Sequence, residues 1–226
     1  MIKTINLKKT YKNEGVEVHA LKGINLEIKD GEMVSILGPS GSGKSTLLNC
    51  LSGIDKPTEG KVIIDNIDIT TLKDDDLTTF RAKNMGFIFQ FFNLIPVLNA
   101  VENVELPLLV LGYNEKEARG MAEEMLIEVG LKDRMKNFPN MLSGGEAQRV
   151  AIARALVTKP KIVWADEPTG ALDTKTGISI MNLIRELNEK NNQTFVIVTH
   201  DPRITEYTRR ILKMDSGILT EHENLG

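Results

Sequence analysis

The sequence predicts an α/β fold in which a mostly parallel sheet is built from two separated stretches of chain, with a helical lobe inserted between them. Three observations carry this expectation. Strands and helices alternate up to Gln90 and again from Lys161, the pattern of a parallel sheet covered on both faces. Between these stretches, from Phe91 to about Leu156, the texture is mostly helical. A glycine-rich turn, "GPSGSGKST" at 38–46, falls between a predicted strand and a predicted helix.

Taken in order, the opening third reads as strands. "VHALKGINLEI" (18–28) alternates apolar and polar positions, and "EMVSIL" (32–37) is a short run with β-branched residues. "KSTLLNCLSGI" (44–54) reads as an apolar helix and "GKVIIDNIDI" (60–69) as one strand. "DDDLTTFRAKN" (74–84) is a helix with an acidic first turn, which suits the positive end of the helix dipole. "MGFIFQ" (85–90) is another strand. In "NEKEARGMAEEMLIEVG" (114–130) apolar residues recur at helical spacing and the run ends on glycine, although Gly120 lies inside it. "KIVWAD" (161–166) and "TFVIVTH" (194–200) are buried strands flanking the helix "TKTGISIMNLIRELNEKNN" (174–192). These elements assign one domain over 1–226, with 1–90 and 158–226 as the core and 91–157 as the lobe.

The composition is that of a globular chain long enough for a well-buried core: 226 residues, 41% apolar and 26% charged. The net charge of −3 supplies no basic field for nucleic acid, and no nucleic-acid partner is expected. The single cysteine, Cys50, rules out an intramolecular disulfide framework. It sits in "LLNCLSGI" and reads as a small core residue, in keeping with a reducing compartment. The N-terminus has no apolar signal segment. No run approaches the roughly 18 apolar residues of a membrane span; the longest candidate, "VENVELPLLVLGY" (101–113), holds two glutamates and a proline. Membrane work would need a partner.

The turn at 38–46 fits G-x-x-x-x-G-K-[ST] at Gly38, Gly43, Lys44 and Ser45, in the strand-before, helix-after context the motif requires. Glycines let successive N–H groups point inward at phosphate oxygens, and the helix start adds partial positive charge. Gly38, Pro39, Ser40, Gly41, Ser42, Gly43, Lys44, Ser45 and Thr46 are therefore expected to cradle a nucleotide. Lys44 would reach the β- and γ-phosphates, and the Ser45 hydroxyl would ligate Mg²⁺. At the end of "KIVWAD", Asp166 is placed to hold Mg²⁺ directly or through water, and Glu167 to polarise a water as general base. Trp164 is bulky for such a strand and reads as packing rather than as a nucleotide contact.

A second glycine turn opens "LSGGEAQRVAIARAL" (142–156). Ser143 reads as a helix cap, and the free N–H groups of Gly144 and Gly145 as an anion site. Here the sequence closely resembles the ATP-binding-cassette (ABC) ATPases, whose signature is L-S-G-G-Q. The resemblance runs along essentially the whole chain. Gln90 in "FIFQ" stands at the Q-loop position, "ALD" (171–173) resembles the D-loop with Asp173, and His200 resembles the switch histidine. Tyr11 in "LKKTY" matches the aromatic residue that stacks on adenine. Taken singly, Tyr11 reads as strand packing, His200 as a strand-end histidine and Gln90 as polar surface.

The resemblance implies a P-loop NTPase core with an N-terminal antiparallel β subdomain and an inserted helical lobe. It also implies an ATPase using ATP and Mg²⁺, with Lys44, Gln90, Glu167 and His200 catalytic and Ser45, Gln90 and Asp166 about the metal. Two protomers would share each ATP: the phosphate loop of one holds it, and Ser143, Gly144, Gly145 and Glu146 of the other close on its γ-phosphate. The expected partners are thus a second copy, in an ATP-dependent homodimer, and a membrane permease. Glu146 departs from the family's usual glutamine; an ionised carboxylate cannot donate a hydrogen bond and adds negative charge. The segment 89–113, "ADEPTGALD" and the lack of an extension after "SGILTEHENLG" resemble the lipoprotein-release, macrolide-export (MacB-type) and antimicrobial-peptide-resistance branch. That branch pairs with FtsX/MacB-like permeases, which places the protein on the cytoplasmic face of the membrane. Phe91, Phe92, Leu94 and Ile95 read equally as a groove for a permease helix and as the lobe's own core. The alternative function is a soluble cassette ATPase acting on DNA or ribosomes; such proteins carry coiled-coil insertions, tandem cassettes or basic arms, and none is present in this sequence.

Overall fold

Ten strands and six α-helices follow one another in the computed structural model, which describes residues 1–13 and 15–222. They are β1 (Ile2–Asn13), β2 (Val16–Ile28), β3 (Met33–Leu37), α1 (Lys44–Leu51), β4 (Glu59–Ile64), β5 (Ile67–Asp68), α2 (Asp74–Asn84) and β6 (Met85–Phe89). Then come α3 (Ala100–Val110), α4 (Glu115–Glu128), α5 (Gly144–Leu156), β7 (Ile162–Asp166), α6 (Thr174–Asn191), β8 (Thr194–Thr199), β9 (Arg210–Asp215) and β10 (Ile218–His222). The last four residues of the expected core stretch, 223–226, lie outside the described residues. The chain divides into two compact units, Met1–Arg81 with Thr194–Gly226, and Ala82–Gln193. The expected lobe, 91–157, falls inside the second.

In the first unit, an antiparallel sheet has the strand order β2-β1-β4-β5. The alternation read in β2 holds for Ile24, Leu26 and Ile28, which are buried as a one-sided sheet requires; Leu21 is buried too, on the far side of a register shift at Gly23, φ 85°. On β1 the register shifts between Thr4 and Leu7. The Thr4 hydroxyl repairs the ladder there, donating to the Ile24 carbonyl at 3.0 Å and accepting from the Leu26 N–H at 2.9 Å. The run 60–69 is two strands, not the single strand expected. Asp65 and Asn66 both take left-handed backbone, φ 49° and 66°, and close a two-residue hairpin between β4 and β5. The "DN" pair was the available signal.

The same unit holds β3 between β8 and β9, parallel to both, with β10 antiparallel to β9. β8 is buried along its whole length and β3 along its first four residues, which is why both read as continuous apolar runs. β9 and β10 had no counterpart in the sequence reading; Ser216 and Gly217, both at positive φ, form the turn between them. Cys50 is buried in α1, and burial pushes its thiol up to about 12, as expected of a core cysteine.

The second unit pairs β6 and β7 in parallel. A Cβ at Gly86 would lie 2.1 Å from the Ala155 carbonyl oxygen, so glycine is what lets α5 approach β6 this closely. α3 packs on α4 and α5. Asn99 caps α3 in a reciprocal capping box with Glu102, and Asn114 caps α4. Trp164 is fully buried and serves as packing; its indole N–H has no hydrogen-bond partner among the described residues.

Candidate functional site

The phosphate loop leaves β3 where Leu37 pairs with Thr199 of β8, and the Gly38 N–H donates to the Thr199 carbonyl at 3.2 Å. The loop and His200, the next residue, therefore leave adjacent parallel strands at the same edge, the edge where open α/β sheets bind ligands. A Cβ on Gly38 would come within 2.1 Å of the Met214 carbonyl oxygen. Gly43 caps α1 at φ 104°, with a would-be Cβ 2.6 Å from the Ala20 carbonyl oxygen. Gly41, at φ 78°, faces open space. Lys44 is largely buried, and its Nζ donates to the carbonyls of Gly38 and Pro39, 2.9 Å each. The Ser42 hydroxyl is buried with no partner among the described residues. A crowded glycine cradle, an ammonium spanning it and an orphaned hydroxyl fit a phosphate group.

Tyr11 lies on β1, 40% exposed. Its hydroxyl donates to Asp55 Oδ2 at 2.8 Å, and Lys9 Nζ lies 4.9 Å from the ring centroid while bonding Asp55 Oδ1 at 2.6 Å. Partial burial opposes ionisation of Asp55, but the hydrogen bonds from Lys9 and Tyr11 hold its carboxyl below the usual range. The sequence reading missed both Lys9 and Asp55. For Lys9 the signal was the Lys9-x-Tyr11 spacing, which on a regular strand puts both on one face, although the register shifts between Lys9 and Thr10; Asp55, 44 residues beyond Tyr11, had none.

In the second unit, Phe89 pairs with Asp166, so Gln90 and Glu167 leave neighbouring parallel strands together. Glu167 takes left-handed backbone at φ 48°, a conformation that costs a non-glycine residue on the order of 1–3 kcal/mol and clusters at functional sites. A Cβ at Gly170 would come 2.9 Å from Gln90 Nε2, so Gln90 lies along the turn that follows Glu167. Gln148 of α5, fully buried, donates to the Pro168 carbonyl at 2.6 Å and to the Phe89 carbonyl at 3.5 Å. It was not picked out from sequence, because a glutamine on a helix reads as surface. Among the described residues no group of three or more His, Cys, Asp or Glu could hold a metal by itself. The expected donors Ser45, Gln90 and Asp166 bring one carboxylate and two neutral oxygens, a set suited to Mg²⁺ carried with phosphates rather than to an all-protein cage.

Ser143 caps α5, and Glu146 completes a capping box. Glu146 Oε2 accepts from the Ser143 N–H and hydroxyl, 2.8 Å each, and Oε1 accepts from Arg134 Nε at 2.7 Å. The bonds from Ser143 and Arg134 hold the Glu146 carboxyl down at about 2. The carboxylate that was a departure at the signature position is thus used inside its own helix start. Gly144 and Gly145 pack against α6 and the turn before it; would-be Cβ atoms lie 3.2 Å from Leu172 Cδ2 and 2.6 Å from Thr176 Cγ2. Asp173 caps α6, accepting from the Thr176 N–H at 3.0 Å and hydroxyl at 2.5 Å. Of the apolar residues after Gln90, Phe91 is 72% exposed, Phe92, Leu94 and Ile95 are half-buried, and none is in the buried core. Arg154 holds this stretch through the Phe92 and Asn93 carbonyls, and fully buried Asn103 ties down 95–99.

The sequence pattern of the ABC transporter family matches residues 21–170. The ABC transporter ATP-binding protein MJ0796 of Methanocaldococcus jannaschii is 52% identical over 229 residues, covering all of this chain and 97% of that protein. The lipoprotein-releasing system ATP-binding protein LolD of Pseudoalteromonas translucida is 49% identical, covering 97% of this chain and 94% of its own length. The macrolide export ATP-binding/permease protein MacB of Campylobacter fetus is 45% identical over 96% of this chain, which spans 34% of MacB. A dimeric, post-hydrolysis structure of the MJ0796 cassette bound to ADP and Pi superposes with a TM-score of 0.89, at 51% identity and 98% coverage of both chains.

Proposed function

The chain belongs to the ABC transporter ATP-binding family, and on that premise we propose that it is the ATP-hydrolysing subunit of a membrane transporter, working as an ATP-dependent homodimer. The observation that carries this reading is the glycine cradle at 38–46, with Lys44 across it and the Ser42 hydroxyl unpartnered among the described residues. Residues 38–46 hold the triphosphate, and the exposed ring of Tyr11 stacks on the base. Ser45, Gln90 and Asp166 would hold Mg²⁺, which would neutralise charge on the phosphates. Glu167 takes the proton of the attacking water, and His200, at the end of β8 beside the phosphate loop, senses the γ-phosphate. Ser143 and the N–H groups of Gly144 and Gly145 close on the nucleotide of the other protomer, with Asp173 beside them at the start of α6. A twofold pair then has two shared sites, and ATP favours the closed pair because it contacts both halves only there. Residues 1–90 and 158–226 act as the core and 91–157 as the lobe that passes closure to a permease.

The likeness to LolD and MacB supports a permease of the FtsX/MacB kind, with the chain held at the cytoplasmic face of the membrane and the transporter serving export or peptide resistance. Exposed Phe91 and half-buried Phe92, Leu94 and Ile95 then offer the apolar contact. The test is capture of tagged Glu167→Gln protein with ATP and Mg²⁺ from solubilised host membranes, followed by mass spectrometry. The expected catch is an integral permease with a large external domain. Recovery of soluble nucleic-acid or ribosomal partners alone would overturn the transporter reading.

A further inference from the structure

The helix that carries the signature turn starts beside a carboxylate, and that carboxylate is matched by a cation from a different element. Glu146 is the third residue of α5. One of its oxygens takes both the N–H and the hydroxyl of Ser143; the other takes the guanidinium of Arg134, which closes the 3-10 turn Lys132–Arg134. In the shared-site reading, on which this inference rests, Ser143 must meet the terminal phosphate held by the other protomer. Two conflicts arise there. The Ser143 hydroxyl is committed as a donor to Glu146, and the negative charge of Glu146 faces an incoming polyanion.

Arg134 addresses both. Its guanidinium cancels the Glu146 charge, and by donating to Oε1 at 2.7 Å, alongside the Ser143 N–H on Oε2, it keeps the carboxylate hydrogen-bonded when the Ser143 hydroxyl turns to phosphate. We propose that Arg134 is a positioning residue for ATP-driven closure: it keeps the signature helix start electrically balanced, so that a glutamate can stand where the charge would otherwise repel the nucleotide. Stability alone gives little reason for the pair, because the Arg134 side chain is 48% exposed and exposed ion pairs contribute little to folding.

The test uses the full chain in the Glu167→Gln background and reads the ATP-dependent dimer by light scattering across protein concentration. Arg134→Ala, and Arg134→Gln as a second variant, should need roughly tenfold more protein to dimerise, with an unchanged melting temperature. The deficit should shrink as salt rises from about 0.05 to 0.5 M, because exposed charges are then screened. Adding Glu146→Gln to Arg134→Ala should restore dimerisation, since the charge to be balanced is gone. Wild-type dimerisation by both Arg134 variants, or a double variant as defective as the single one, would overturn the proposal. Ser143→Arg in the same assay separates the two readings: if it still dimerises with ATP, the shared site itself is wrong, whatever Arg134 does.

Discussion

The side-chain amide of Gln148 donates to the carbonyl oxygen of Pro168 at 2.6 Å, and so ties the middle of the signature helix to the residue after Glu167. Glu167 is in left-handed backbone, its carbonyl accepting from the Gly170 N–H at 3.0 Å. Strained conformations persist where neighbours over-determine them, and this buried amide is one such neighbour. Gln148→Leu keeps the volume but leaves the Pro168 carbonyl unpaired. It should cost about 1–3 kcal/mol of stability and lower ATP turnover roughly tenfold, about 1.4 kcal/mol in the barrier, with nucleotide affinity little changed. Steady-state kinetics beside a nucleotide titration check this. Turnover at the wild-type level would make the contact purely structural.

Gly145 carries a packing constraint that a helical backbone alone would not impose. A Cβ there meets Thr176 Cγ2 at 2.6 Å, while the Thr176 hydroxyl is held by Asp173. Gly145→Ala should therefore destabilise by about 1–3 kcal/mol from overpacking, despite the gain in helix propensity. Thr176→Ser removes the clashing methyl and keeps the hydroxyl. Thermal unfolding of the double variant should recover most of the loss; no recovery would place the clash elsewhere.

Glu146 links stability to pH. Its folded carboxyl lies at about 2 against an unfolded value of 4.5. A depressed folded value means its contribution is complete above about pH 4.5 and is lost as pH falls towards 2. Glu146→Ala should cost about 1 kcal/mol at pH 7, the size of a lost helix cap, with the exposed Arg134 pair adding little. The gap between the two melting temperatures should close between pH 4.5 and 2. A constant gap would show that the charge plays no part.

Glu167→Gln should retain ATP binding, lose turnover by about 10²–10⁴ as expected for a missing general base, and accumulate the dimer. Lys44→Ala should instead abolish tight nucleotide binding, which a fluorescent-nucleotide titration reads directly. Near-native turnover in the first variant removes Glu167 from the base role; unchanged affinity in the second counts against the loop.

Much of the fold was legible because its signals are local. Period-two alternation marked β2, continuous apolar runs marked β3, β7 and β8, and the acidic first turn marked α2. The phosphate loop was legible because glycine spacing dictates backbone shape. Reading 60–69 as one strand overlooks a break in its period: apolar residues at 62 and 64 give way to 67 and 69, with Asp65 and Asn66 adjacent between them. β9 and β10 were not legible because RILKMD (210–215) and ILTEH (218–222) are short and neither alternates strictly nor runs continuously apolar.

Reading along the chain is enough to give the family, the strand–loop–helix cradle and the identities of the residues at the strand ends. These follow from short-range spacing and backbone conformation. The folded chain adds which side chains are already engaged: Ser143 and Glu146 with Arg134, Tyr11 with Lys9 and Asp55, Gln148 with Pro168. Each of these bonds joins different elements or fixes a rotamer. The capping box is a local S-x-x-E spacing, but the bonds made by Arg134, Asp55 and Gln148 depend on packing in three dimensions, which no period or spacing along the chain encodes.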